Sequence, residues 1–198
     1  MHYLLTERQS TLALLSSPAP NALLKRRLRG TTTFVRILIL LGGSALLTQM
    51  AWTWLSPERA LGEFTKWSGA IHIDRITLQA QVLGALWTLL PLGITLLGLL
   101  RLWQLFAEFR EGRIFSPRAL ASLRGFARCL VASAVVAPIY GAVLSVILTW
   151  VNGPGRRELV LQVSSDDYTL LLLGVVLLAM SSVMTEAARV AEDNAGFV

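Results

Sequence analysis

Four long apolar stretches alternate with shorter polar and charged segments along this chain. They run from about residue 34 to 55, 78 to 103, 126 to 151 and 168 to 190. A segment that crosses the roughly 30 Å hydrocarbon core of a bilayer is helical and about 20 residues long, because lipid offers the backbone no hydrogen-bond partners. Each stretch is long enough and carries no charge near its middle. The pattern therefore predicts an all-α membrane fold, a bundle of four transmembrane helices.

Polar and aromatic residues at the ends of these stretches agree with this division. Candidate N-caps precede three of the helices: Thr31, Thr32 and Thr33 the first, Thr77 the second, and Ser164 or Ser165 the fourth. Amphipathic aromatic residues, which favour the headgroup zone, lie at the ends as Trp52, Trp54, Trp103, Trp150 and Tyr168. Pro91 and Pro138 fall inside the second and third helices, where each removes a backbone donor and predicts a kink that we attribute to packing.

Composition and charge add the orientation. Hydrophobic residues make up 54% of the 198 residues and charged residues 15%, against about 25% charged in soluble domains, which argues strongly against a water-soluble globular fold. Thirteen of the 18 Lys and Arg residues fall in the N-terminal segment, the second connection and the C-terminal tail. The positive-inside rule therefore predicts that both termini are cytoplasmic. We divide the chain into a basic cytoplasmic segment, 1–33, and a membrane domain, 34–198.

The two loops that this orientation places outside, around residues 56–76 and 152–167, each contain a partly alternating pattern. Residues 70–76 and 158–164 alternate apolar and polar positions, and the second follows a turn signal at Asn152–Gly155. We expect each to supply a short strand, and the two to pair as a small β-ribbon over the helix ends.

The cytoplasmic connection, residues 104–125, has the features of an amphipathic elbow. Apolar residues at helical spacing continue the second helix until Glu111-Gly112-Arg113 interrupts it, and Ser116-Pro117 is typical of an N-cap and first helical turn. Its candidate contacts with a partner or lipid are Arg110, Arg113, Phe115, Arg118 and Arg124. From the elbow's sequence alone, a simple orientation anchor without a partner is favoured over a docking surface. The basic cluster at 25–29 favours anionic lipid over nucleic acid, since no nucleic-acid-binding module surrounds it.

The chain offers no set of residues for catalysis, cofactor binding or metal ligation. Its two histidines, His2 and His72, are far apart, and Cys129 has no base on its side of the membrane. We therefore expect no enzyme. The intramembrane polar candidates are Gln49, Gln81 and Glu186, which would mark a transport pathway. For Glu186 we favour pairing with Arg189 or an elbow arginine.

One stripe of small residues indicates close helix contact. Ser133, Ala137, Gly141 and Ser145 follow one another at four-residue intervals along the third helix. Small side chains let helix backbones approach closely in lipid. We expect the stripe to pack within the bundle, and a homo-oligomer seam is the alternative.

The segment from Leu102 to Ser116, which includes Gly112-Arg113-Ile114-Phe115, resembles the bacterial membrane family called domain of unknown function 2975. Glu186 and the tail from Glu192 to Val198 also look like the family's C-terminal helix, although Ala195-Gly196-Phe197 departs from its pattern. The resemblance covers about 34–198 and implies a four-span protein of the bacterial inner membrane. It also implies a regulatory context, because some relatives are encoded beside small helix-turn-helix regulators.

These observations leave two functional hypotheses. The first is a non-enzymatic regulatory or scaffold protein whose elbow and acidic tail, near Glu192 and Asp193, contact a cytoplasmic partner such as a transcriptional regulator. The second is a small transporter or channel component. A lipid-modifying enzyme ranks third, because the sequence has no catalytic set.

Overall fold

Long helices account for most of the chain. The computed structural model describes residues 20–67, 76–113, 115–150 and 157–195. They form five helices, α1 (Pro20–Trp54), α2 (Pro57–Trp67), α3 (Leu78–Arg110), α4 (Pro117–Thr149) and α5 (Ser165–Ala195). Four of these are long and apolar enough to cross a membrane, at Thr32–Trp54, Leu78–Arg110, Pro117–Thr149 and Ser165–Val190. The predicted number of spans is confirmed.

The predicted caps are right for α3 and α5 and wrong for α1. Thr77 Oγ1 accepts from the Ala80 amide at 3.4 Å, and Ser164 and Asp167 each accept from the other's amide, at 3.2 and 2.9 Å. The three threonines 31–33, in contrast, lie inside α1, which begins at Pro20. The preceding Ala, Leu, Lys and Arg residues are strong helix formers, so the helix runs unbroken across residue 33.

Helix α2 occupies a segment that we predicted to be an exterior loop. Its buried face carries Ala60, which is fully inaccessible, and its Phe64 ring lies 5.7 Å from the Trp54 ring. As in α4, a serine precedes the helix and a proline is its first residue, here Ser56 and Pro57, but Ser56 Oγ is buried without a hydrogen-bond partner. This serine-proline signal was available in the sequence.

The second predicted strand, at residues 158–164, is not formed. Residues 157–164 are irregular, and two of their amides donate to side chains of α4, Glu158 N to Thr149 Oγ1 at 3.1 Å and Val160 N to Ser145 Oγ at 3.0 Å. Helix side chains thus satisfy donors that a ribbon would otherwise have paired. Residues 70–75, most of the other predicted strand, lie outside the described residues.

The four spanning helices form an open row. Helix α1 packs on α2 and α3, α3 packs on α4, and α4 packs on α5. Within the described residues no extensive packing joins α1 to α4 or α5. Most of the described side chains of α1 and α5 are accordingly exposed, which suits helices that face lipid on several sides. The prediction of a four-helix bundle is therefore refined to this linear arrangement.

Close packing concentrates where α2 lies, beside the C-terminal ends of α1 and α4 and the start of α3. We call this side of the molecule the α2 end. A buried cluster there joins all helices except α5 and consists of Trp54, Ala60, Ile76, Ala80, Leu144 and Leu148. Arginines stack on tryptophans at both ends of the molecule, with guanidinium carbons 3.7–3.8 Å from the ring centroids. At the α2 end the pairs are Arg59 on Trp52 and Arg157 on Trp150, and near the elbow the pair is Arg36 on Trp103. These pairs agree with the predicted headgroup positions of the tryptophans.

Candidate functional site

The elbow between α3 and α4 begins with a hydrogen-bonded C-terminal cap on α3. Gly112 has a φ of 79°, a left-handed conformation that glycine adopts at little cost. Its amide donates to the Phe109 carbonyl at 3.0 Å, and the Arg113 amide donates to the Glu108 carbonyl at 3.1 Å. These two bonds form a Schellman motif, which satisfies carbonyls at the end of α3. The predicted interruption of the helix at residues 111–113 is confirmed.

Glu108 ties the two sides of the elbow together. Its carboxylate accepts from Arg113 Nε at 3.0 Å and from Ser116 Oγ at 3.0 Å, and its side chain is only 13% exposed. Ser116 in turn caps α4 by accepting from the Ala119 amide at 3.1 Å. Glu108 raises the pKa of Arg113, chiefly through this hydrogen bond, so Arg113 stays charged. One carboxylate therefore fixes the end of α3, the turn and the start of α4.

Two of the five predicted elbow residues, Arg113 and Arg124, are held by other side chains. Arg113 takes part in the network with Glu108 and also pairs with Glu111. Arg124 donates to Thr185 Oγ1 of α5 at 2.9 Å, so it joins the elbow to the last helix. Arg110, Phe115 and Arg118 are exposed, Phe115 by 60% of its surface. These three, which we call the elbow face, remain as candidate contacts.

The three intramembrane polar candidates do not converge on one pathway. Gln81 donates to the Trp54 carbonyl at 2.5 Å and so joins α3 to the end of α1. Glu186 forms an exposed ion pair with Arg189 at 2.6 Å, as the sequence favoured. Gln49 alone lines a cavity, between α1, α3 and α4. Gln81 thus supports the fold.

The predicted small-residue stripe on α4 is partly used inside the molecule. Gly141 and Ser145 are buried, whereas Ser133 and Ala137 are half-buried. A close approach of α5 to α4 lies elsewhere, at Gly174, where an added Cβ would lie 2.7 Å from Val131 Cγ2 and 3.1 Å from the carbonyl oxygen of Ala127. Sequence reasoning missed this glycine, since it stands alone in its helix.

A second polar contact inside the helices was also missed. Trp87 Nε1 donates to the Tyr140 carbonyl at 3.1 Å, and the hydroxyls of Thr88 and Tyr140 lie 3.0 Å apart. These residues join α3 to α4 near the middle of the spans. Their signal was the run Trp87-Thr88 within an apolar stretch, together with Tyr140 in the next stretch.

Among the residues that the structure describes, no group of three or more His, Cys, Asp or Glu side chains could hold a metal ion. Cys129 is a half-buried free thiol. Residues 192 and 193 lie in the last turns of α5, and their side chains are outside the described part of the chain. Of the predicted site residues, those on the elbow face and Gln49 in its cavity therefore remain as functional candidates.

This arrangement of apolar spanning helices defines a multi-pass membrane protein in contact with the lipid bilayer. The chain belongs to the family described as protein of unknown function (DUF2975), whose model matches residues 48–196. The match confirms the resemblance drawn from the elbow and tail motifs. Neither the comparison with curated proteins nor the comparison with solved structures found a match.

Proposed function

We propose that this protein is a non-enzymatic regulatory or scaffold protein of the bacterial cytoplasmic membrane whose elbow binds a cytoplasmic protein. The observation that carries the proposal is the fixed elbow, in which Glu108 holds the turn while the elbow face stays exposed. A preformed surface loses little conformational entropy on binding. Arginine and aromatic residues are also enriched among the side chains that dominate binding energy at interfaces.

The chemistry of the elbow face indicates the partner's surface. Arg110 and Arg118 supply positive charge on either side of the turn, and Phe115 supplies an exposed ring. A complementary partner presents carboxylates around an apolar pocket. A transcriptional regulator with such an acidic face fits both this surface and the regulatory context of the family.

The proposal requires that the elbow faces the cytoplasm. The excess of Lys and Arg on the side of the N-terminal segment, the elbow and the C-terminal tail supports this orientation. A reporter fused after Val198 that is active only in the cytoplasm is the expected result. Activity only in the exterior compartment would overturn the orientation and the cytoplasmic partner together.

Photocrosslinking from the elbow face tests the partner directly. With benzoylphenylalanine in place of Phe115 in native membranes, we expect one soluble protein to be captured and identified by mass spectrometry. The same crosslinker at Leu159, which is 70% exposed at the α2 end, serves as the positional control. The double variant Arg110→Glu, Arg118→Glu should abolish the capture because it reverses both outward charges.

A matched charge reversal separates binding from general damage. Arg157 is an exposed arginine at the α2 end, where it stacks on Trp150. Arg157→Glu should leave the capture at residue 115 intact. Capture of lipid alone, or equal capture by the Arg110→Glu, Arg118→Glu protein in correctly inserted form, would show that the elbow is an orientation anchor.

A transporter or channel component is the second candidate, favoured by one observation, the cavity that Gln49 lines with several hydroxyl groups. Transport would require this cavity to communicate with both sides of the membrane. Solute flux into liposomes that contain the purified protein, and loss of that flux in Gln49→Leu, would support transport over regulation.

A further inference from the structure

A cavity separate from the one at Gln49 lies at the α2 end, between the start of α3 and the last turns of α4. Its volume is about 470 Å³, within the range of about 300–1,000 Å³ typical of small-molecule sites. We call it the α3–α4 groove. Its apolar walls include Ala80 and Leu83 of α3 and Val143, Val146 and Ile147 of α4.

The walls of the α3–α4 groove suit a hydrocarbon chain from the bilayer. Leu83 is 55% exposed and Val143 36% exposed, and both belong to candidate spanning helices, so the groove opens towards the lipid. Bilayer hydrocarbon is as apolar as leucine, however, so a lipid tail gains little by moving into the groove. Shape thus admits a chain, and discrimination between lipids has to come from polar groups at its end.

Three polar side chains belong to the groove lining, and each has a proton to donate. Thr77 Oγ1 accepts from the Ala80 amide at 3.4 Å, which leaves its hydroxyl proton available. Trp150 carries an indole N–H, a donor only, and the amide of Gln79 donates as well as accepts. Within the described part of the chain, none of these three side chains donates a hydrogen bond to the protein.

Arg157 adds positive charge beside the groove. Its guanidinium carbon lies 3.7 Å from the centroid of the Trp150 ring, and Trp150 lines the groove. Stacking uses the flat face of the guanidinium and leaves the N–H groups around its edge able to bind oxygen atoms. Among the described residues no carboxylate pairs with Arg157, including the neighbouring Glu158, and none lines the groove. The charge there is therefore not neutralised by the described chain.

A phosphate matches this end of the groove, because arginine binds phosphate oxygens through two parallel N–H groups. We propose that the α3–α4 groove binds an anionic phospholipid of the surrounding bilayer, with its phosphate at Arg157 and Trp150 and one acyl chain between Leu83 and Val143. The cationic headgroup of a zwitterionic lipid would find no carboxylate in this lining. The groove and the elbow lie at opposite ends of α3 and α4, so the inference stands or fails independently of the proposed function.

Photocrosslinkable lipids test the assignment. The full chain is reconstituted in phosphatidylcholine vesicles with a trace of phosphatidylglycerol or phosphatidylcholine probe, each carrying the same diazirine in its acyl chain, and labelled positions are mapped by mass spectrometry. We expect the phosphatidylglycerol probe to label Leu83 and Val143 about fivefold more than the phosphatidylcholine probe, the preference that one arginine near the membrane surface provides. Val175 of α5, which is 50% exposed, should be labelled equally by both probes.

A matched pair of arginine variants assigns the preference to one side chain. Arg157→Gln should lower labelling by phosphatidylglycerol to the level of phosphatidylcholine, because it removes the charge and keeps a polar side chain. Arg59→Gln is the control, since Arg59 is also exposed and stacks on a tryptophan, Trp52, at 3.8 Å, outside the groove lining. It should keep the preference, which corrects for general attraction of anionic lipid to surface arginines.

A third variant tests whether the groove itself is needed. Val143→Trp fills the groove from a position already exposed to lipid, and it should abolish the preference at Leu83 although Arg157 is unchanged. Retained preference in this variant would show that the headgroup is held at the surface without the groove, which contradicts the proposal.

Three further results would overturn the proposal. The first is equal labelling of the groove by the two probes in the wild type, and the second is an equal loss of preference in Arg157→Gln and Arg59→Gln. The third is loss of the preference in an excess of inorganic phosphate, which would assign the site to a free anion. Preference that persists in inorganic phosphate supports the phospholipid.

Discussion

Single residues decide how closely these helices approach one another. The Trp54 ring lies over Gly84 of α3, where an added Cβ would fall 2.1 Å from the ring. We therefore expect Gly84→Ala to displace Trp54 from the buried cluster and to lower the free energy of unfolding by about 1–3 kcal/mol, the usual cost of overpacking. Thermal unfolding in detergent, followed by tryptophan fluorescence, measures the loss.

Gly93 provides the matched control in the same helix. Nothing lies within 4 Å of the position that its Cβ would take, so Gly93→Ala should be neutral or slightly stabilising through helix propensity. An equal loss of stability in both variants would show that the effect belongs to α3 as a helix and not to contact with Trp54.

At the scale of elements, several local signals in the sequence were informative and others were not. Apolar length located the four spans, and the glycine and serine-proline of the elbow marked the end of α3 and the start of α4. Alternation at 158–164 was misleading because the amides there are held by α4 side chains. Such long-range bonds leave no mark in the pattern of the segment itself.

Ser145 links the stripe on α4 to the 157–164 segment. It is 1% exposed, donates to the Ala142 carbonyl at 2.7 Å and accepts from the Val160 amide at 3.0 Å. Ser145→Ala leaves the Val160 amide without its acceptor. The local stability of the 157–164 segment should fall by about 1–3 kcal/mol, the cost of a buried donor without a partner. Faster hydrogen exchange at Val160, with little change in the unfolding of the spans, is therefore expected.

Ser133→Ala tests whether the stripe acts as a unit. Ser133 belongs to the same stripe but is only half-buried, three helical turns away, so it should leave exchange at Val160 unchanged. If both variants instead altered self-association of the protein, the stripe would be a seam between copies.

At the scale of the molecule, the helix order could not be read from the chain. Four amphipathic or apolar helices permit a closed bundle or an open row, and the choice depends on fits such as Trp54 on Gly84 and Val131 on Gly174. The cavity at Gln49 is a consequence of the open row, because it lies where α1 and α4 do not pack extensively on each other. Gln49 was identified by its polarity, while the residues around it were not.

An open row makes the last helix separable from the others. Helix α5 packs on α4, and an added Cβ at Gly174 would meet the Val131 amide nitrogen at 3.0 Å and the Ala127 carbonyl oxygen at 3.1 Å. Backbone atoms cannot move aside as a flexible side chain does, so Gly174→Ile should push α5 away from α4. Because the six tryptophans all lie outside α5, the fluorescence transition that Gly84→Ala shifts should stay nearly unchanged.

Separation of α5 is measured by crosslinking across the seam. Arg124 and Thr185 form a hydrogen bond between the two helices, so cysteines at both positions in a Cys129→Ser background should react with a short bismaleimide. Gly174→Ile should abolish this crosslink, whereas Val175→Ile, at a position 50% exposed, should preserve it. Gly174→Ile could instead lower the unfolding temperature followed by tryptophan fluorescence as much as Gly84→Ala does. In that case α5 would unfold as one cooperative unit with the other helices, and it would not be separable from them.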